Sequence, residues 1–161
     1  MAVANSAEDR AVHSADRELT ITRVFDAPRE LCFKAWTDPE HLVNWWGPRG
    51  YTLPEHTMDF RPGGAYRFRM RPPEGRDVWW YGVYREIVPP ERLVWTCSID
   101  DADGKPISSE TLLTLTFEQL GGKTKLTLRQ AVFDSVANRD SHNNGWSDAL
   151  DRLASLLANM T

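Results

Sequence analysis

The chain has 161 residues, enough for one domain that buries about two-thirds of the surface its unfolded form exposes. Hydrophobic content of 41% beside 26% charged residues is that of an ordinary globular protein. A net charge of −4 disfavours nonspecific nucleic-acid binding, which needs cationic surface, and no apolar run approaches membrane-spanning length.

Residues 1–17 are small and polar and read as a disordered tail ahead of one domain over 18–161. The tail carries Glu8, Asp9 and Asp16 and lacks an apolar core, unlike a secretory leader, so a cytoplasmic location is expected. Leu19, Ile21 and, after a register break, Val24-Phe25 predict a first strand. Asp26-Ala27-Pro28 predicts a helix start, with Asp26 accepting from the free amides; Leu31, Cys32, Ala35 and Trp36 then share one face. Asp38-Pro39-Glu40 repeats that signal for a second short helix, ended by Gly47-Pro48. Of Trp45 and Trp46, one ring is expected beneath the sheet and the other at a cavity opening.

From Tyr51 the apolar pattern alternates. His56, Met58 and Phe60 share a face of one strand. Pro62-Gly63-Gly64 supplies a reversal, and Tyr66, Phe68 and Met70 share a face of the next strand, opposite Arg67, Arg69 and Arg71. Val78–Val88 predicts a long strand whose aromatics occupy both parities, Trp79 and Tyr81 against Trp80 and Tyr84, so either set can face inward. Leu93, Trp95, Cys97 and Ile99 mark another strand, followed by an acidic loop. Leu113, Leu115 and Phe117 mark the next, with Gly121-Gly122 turning into Leu126 and Leu128. From about Ser141 a helix carries one apolar stripe of Trp146, Ala149, Leu150, Leu153, Leu156 and Leu157. It is the only long amphipathic helix available to cover the sheet.

Phe25-Asp26-Ala27-Pro28, Trp45-Trp46-Gly47-Pro48, Asp59-Phe60-Arg61-Pro62-Gly63-Gly64, Pro89-Pro90-Glu91-Arg92-Leu93 and Gly145-Trp146, in this order, carry a resemblance. The chain from about Glu18 to Met160 resembles the activator of heat-shock-protein-90 ATPase homologue family, within the START-like (birch-pollen-allergen-like) superfamily. The resemblance implies an α+β helix-grip fold: a seven-stranded curved antiparallel sheet around a long C-terminal helix, two short helices after the first strand, and a cavity between. It does not imply one activity, since such folds serve apolar-ligand binders, polyketide cyclases and chaperone-activating domains.

The motifs narrow the chemistry mostly by exclusion. Gly121-Gly122-Lys123-Thr124 is not a phosphate loop, because Phe117 stands where the first glycine is needed. Asp101-Ala102-Asp103-Gly104 lacks the first ligand of a calcium loop, which would be Ile99. No histidine has metal-ligand spacing, so no metal or cofactor is expected. Cys32 and Cys97 read as buried reduced thiols. His13 and His41 read as solvated, and His142 either faces the mouth of the last helix or merely begins it. His56 shares the parity of Met58, so it is a candidate cavity group and, if the protein is an enzyme, a candidate acid–base residue. Glu86 is the other such candidate; facing outward, it would instead pair with the arginine row.

The leading expectation is a binder of a small apolar molecule, with Trp46, His56, Met58, Phe68, Trp80, Tyr84, Trp95 and Trp146 lining the cavity. Trp36, on the first helix, is expected to contribute little to a ligand response. A cyclase, dehydratase or hydrolase using His56 or Glu86 is the enzymatic alternative. A chaperone-activating role is weaker, because the namesake co-chaperone carries a further N-terminal domain where this sequence has a short polar tail. No nucleic-acid or membrane partner is expected, and a homodimer is left open.

Overall fold

The structure, a computed structural model, describes residues 16–160. The predicted tail lies almost wholly outside these residues, but Arg17 is already tied to the domain: its carbonyl accepts from the Phe133 amide at 2.9 Å. The elements are β1 (Leu19–Phe25), α1 (Arg29–Thr37), α2 (Pro39–Leu42), β2 (Thr52–Met58), β3 (Ala65–Arg71), β4 (Val78–Val88), β5 (Arg92–Asp100), β6 (Pro106–Leu120), β7 (Lys123–Ala131) and α3 (Val136–Met160). The strands form one antiparallel sheet in the order β1-β7-β6-β5-β4-β3-β2, so consecutive strands pair except where the helices intervene. This is the α+β helix-grip arrangement that the resemblance implies, with the sheet and covering helix that the element order predicts.

Local chemistry explains most boundaries. The Asp38 carboxylate accepts from the Glu40 amide at 3.0 Å and opens α2 as predicted. Asp26 does not cap α1. That position belongs to Pro28, which has no side-chain cap, and the Arg29 amide is met instead by Gln119 of β6 at 3.2 Å. The Asp59–Gly64 reversal closes on itself through Asp59 N–H to Ala65 (2.9 Å) and Gly64 N–H to Arg61 (2.8 Å). A Cβ at Gly64 would fall 1.9 Å from the Asp59 carbonyl oxygen, so only glycine fits there.

The parity of β4 is now plain. Trp80 and Tyr84 point inward, whereas Trp79 lies outside beneath the Arg67 guanidinium, 3.7 Å from ring centre to Cζ. A register shift between Tyr84 and Glu86 then breaks the alternation. The long helix starts at Val136, five residues before the predicted Ser141, with the Ser135 hydroxyl accepting from the Asn138 amide at 3.1 Å. Cys32 and Cys97 are buried and free.

On the outer face, Asp77 sits between Arg69 Nε at 2.6 Å and Arg71 Nε at 2.8 Å. The hydrogen bond from Arg71, with help from Arg69, holds its carboxyl down to about 2, against an ordinary 3.8. A depressed folded-state value means that this clamp stabilises fully above about pH 4 and is lost as pH falls through the folded value. Asp77→Asn should therefore melt below the native protein at neutral pH, with the gap closing between about pH 4 and pH 2. A gap that stays constant over that window in thermal melts would show that the clamp contributes nothing.

Candidate functional site

The concave face of the sheet is filled from three directions. Strands β3, β4 and β5 contribute Tyr66, Phe68, Met70, Trp80, Tyr84, Trp95 and Ile99; α1 and the turn after α2 add Trp36, Trp45 and Trp46; α3 adds Trp146, Ala149, Leu150, Leu153 and Leu157. Six of the seven tryptophans meet in one cluster. Trp36 touches Trp45, Trp46, Trp95 and Trp146, with ring centres 4.6, 6.0, 5.9 and 5.7 Å away. Trp46 in turn meets Trp80 at 5.3 Å and Trp146 at 5.4 Å, both near perpendicular, the arrangement that ring quadrupoles favour.

At one end of this cluster the packing stops and leaves a cavity of about 240 Å³. Its walls are Trp46, Gly47, Pro48 and Tyr51 from the turn after α2, Met70, Val78, Trp80, Ile99 and Ile107 from the sheet, and Asn138, Ser141, His142, Gly145, Trp146 and Ala149 from α3. Gly47 takes φ +95°, which turns Pro48 across the rim. The lining contains no carboxylate, lysine or arginine, and its one imidazole is His142.

The polar groups around the cavity are unevenly served. Trp80 Nε1 donates to the Tyr66 hydroxyl at 3.1 Å, which donates to the Thr96 carbonyl at 2.6 Å. Trp146 Nε1 donates to Gln130 Oε1 at 2.9 Å, and Gln130 Nε2 donates to the Thr111 hydroxyl at 2.9 Å. Trp46 Nε1 and His142 Nε2, in contrast, are buried without a partner. The His142 Nδ1 lies 2.9 Å from the Asn138 carbonyl oxygen. Burial holds the imidazole below its ordinary 6.5, so the ring is neutral at pH 7.

The rim is fastened from behind by Arg152 of α3. Its Nη1 lies 3.0 Å from the carbonyls of Gly47 and Pro48 and 3.3 Å from those of Trp46 and Tyr51. Nη2 reaches the Asn44 carbonyl at 3.4 Å. No pattern in the sequence marks this arginine, because it sits between the apolar positions of the helix like any solvated residue.

Of the expected lining residues, the structure brings Trp46, Trp80 and Trp146 to the cavity. Phe68, Tyr84 and Trp95 are buried in the core beside it: Phe68 packs on Trp46 at 5.2 Å, Tyr84 on Tyr66 at 5.3 Å and Trp95 on Trp36 at 5.9 Å. Met58 is half-buried against the core, and neither it nor His56 borders the cavity. His56 is paired with Phe68 and so shares its face, but β2 is the edge strand and the side chain stands exposed. Glu86 also points to solvent, where it pairs at 3.1 Å with Arg92 of the neighbouring strand rather than with the arginines of β3. Neither His56 nor Glu86 is placed to move a proton in the cavity. The lining residues that sequence reasoning missed or left open include Tyr51, Met70, Val78, Ile99 and, on α3, Asn138, Ser141 and His142. A helix stripe read only from apolar positions passes over the last three. Among the described residues no cluster of acidic, histidine or cysteine side chains is suited to hold a metal. No described helix is long and apolar enough to cross a membrane.

Among curated proteins, none matches the chain. Solved structures do. An AHSA1 protein from Silicibacter pomeroyi is 27% identical, with a TM-score of 0.82 over 89% of this chain and 99% of that one. A protein from Chromobacterium violaceum is 28% identical, with a TM-score of 0.77 over 88% of this chain and 96% of its own. A third, from Rhodobacter sphaeroides, is 26% identical, with a TM-score of 0.77 over 92% and 97% of the two chains. The family model described as activator of Hsp90 ATPase homolog 1-like protein matches residues 26–158, which takes in the paired helices, the Pro-Gly-Gly reversal and nearly all of the gripping helix. The chain belongs to that family, within the START-like helix-grip fold.

Proposed function

We propose that the protein binds a small apolar molecule in the cavity between the sheet and α3. The observation that carries this reading is the lining itself. In a core packed elsewhere to near-zero exposure, a recess of about 240 Å³ remains, open to solvent on one side and walled by Trp46, Trp80, Trp146, Met70, Val78 and Ile99. Apolar side chains that line such a recess are covered less than closer packing would cover them, so a protein that keeps it forgoes the stability of that burial. For scale, an apolar cavity of about 150 Å³ accepts benzene, so this one suits a molecule of about one to two rings or a short chain. The family membership and the START-like fold support the same reading.

The test is a titration with one-ring and two-ring aromatics and medium-chain fatty acids, followed by tryptophan emission and melting temperature. A fitting molecule should stabilise the protein by about 2.7 kcal/mol at a hundredfold excess over its dissociation constant. Trp46→Phe, Trp80→Phe and Trp146→Phe should each diminish the emission change, because these rings border the space. Trp79→Phe should leave it intact, since that ring packs under Arg67 on the outer face. A panel that shifts neither emission nor melting temperature would overturn the reading.

A further inference from the structure

We infer that the cavity selects an uncharged, hydroxyl-bearing aromatic molecule, phenol-like in chemistry, whose O–H group donates to His142 Nε2. The inference rests on the proposed binding role and adds to it the polar group that the ligand must carry.

His142 is held in one orientation and one protonation pattern. Its Nδ1 faces the Asn138 carbonyl oxygen at 2.9 Å, and a carbonyl only accepts, so in the neutral ring Nδ1 carries the hydrogen. Nε2 is then left with a bare lone pair. The ring also packs on Phe133 at 4.7 Å and on Trp80 at 5.9 Å, which keeps it from turning away. Nε2 is buried and has no partner. Buried acceptors in native proteins are nearly always met, and an unmet one invites a donor from whatever fills the space.

Trp46 supplies the complementary orphan. Its Nε1–H is buried and unpartnered, as is that of Trp36, which does not border the cavity, whereas the indole N–H groups of Trp45, Trp80 and Trp146 are met by Ala35, Tyr66 and Gln130 at 3.0, 3.1 and 2.9 Å. Both orphans belong to residues of the cavity wall, one accepting and one donating. A hydroxyl is the smallest neutral group that can serve either. A charged ligand would find no opposite charge, because no lysine, arginine or carboxylate lines the space. Trp80 stands beside both orphans, 5.3 Å from Trp46 and 5.9 Å from His142, so its ring offers a flat molecule a stacking surface beside the polar contact.

The experiment compares 4-ethylphenol, 4-ethylanisole and ethylbenzene by calorimetric titration, on the native protein and on His142→Phe. The anisole keeps the oxygen but cannot donate. The native protein should bind the phenol about tenfold or more tightly than the anisole, and His142→Phe should bring the two within about twofold of each other. In parallel, the imidazole Nε2 resonance of the native protein, followed by nitrogen NMR, should move with the phenol and stay with the anisole. That second readout holds even if the variant does not fold. Equal affinities for the phenol and the anisole in the native protein, or discrimination that survives His142→Phe, would overturn the inference while leaving the cavity reading intact. Absence of binding by all three compounds would overturn both.

Discussion

Replacing Trp36 by Ala should lower stability by about 3–5 kcal/mol. Trp36 is 2% exposed and its ring meets four other indoles. Those neighbours come from the turn after α2, from β5 and from α3, so truncation leaves a void that no one element can close. Trp36 Nε1 has no hydrogen-bond partner, so Trp36→Phe gives up packing area but no bond and should cost less than half as much. Trp45→Phe makes the useful contrast, because it removes the donor to the Ala35 carbonyl at 3.0 Å and leaves that oxygen unmet in the core. Urea denaturation of the three variants would order them. A loss below about 1 kcal/mol for Trp36→Ala would mean that the indole cluster is loosely packed and gives up little when opened.

Arg152→Met should cost about 2–4 kcal/mol and loosen the cavity rim. Methionine keeps most of the apolar stem, so the loss reports on the guanidinium alone. Burial pulls the Arg152 pKa below its usual value, yet a guanidinium remains charged at any ordinary pH. Without it, the carbonyls of Trp46, Gly47, Pro48 and Tyr51 lose a donor that no nearby side chain replaces. Arg152→Lys should recover only part of the loss, since one ammonium cannot fork to Asn44 and to the Gly47-Pro48 turn together. Hydrogen exchange would localise the effect: amides over residues 44–51 should exchange faster, and those of β6 and β7 should not change. Uniform loss of protection would mean that Arg152 supports the whole fold rather than the rim.

Most of the fold was legible because it rests on local signals. The Asp38 cap, the Gly63-Gly64 reversal and the apolar stripe of α3 each state their structure within a few residues. The face of β4 was not legible, because Trp79 and Tyr81 alternate as regularly as Trp80 and Tyr84, and the choice is set by pairing of Trp80 with Phe68 of β3 and Ile99 of β5, not by anything within the strand. The same holds for His56. Its parity correctly put it on the face of Phe68, but parity does not say that β2 ends the sheet. The cavity was half legible. Aromatic rings announce themselves, and Trp46, Trp80 and Trp146 do border the space. The polar wall lies on the first turns of α3, where Asn138, Ser141 and His142 look like a solvated lead-in because they face a void instead of a core.

That division of α3 has a consequence for how the protein can change. His142 and Leu153 lie about 16 Å apart along the helix axis, well beyond the range at which substitution energies couple. Leu150, Leu153 and Leu157 hold the helix to the sheet, and Asn138, Ser141 and His142 line the cavity. One continuous rod thus carries an anchor at one end and, under the proposed binding role, a reader at the other. Residues of the reader can be exchanged for new preferences while the anchor's contribution to stability stays as it was. Relatives built on the same fold can then differ in what they hold without differing in how firmly they fold.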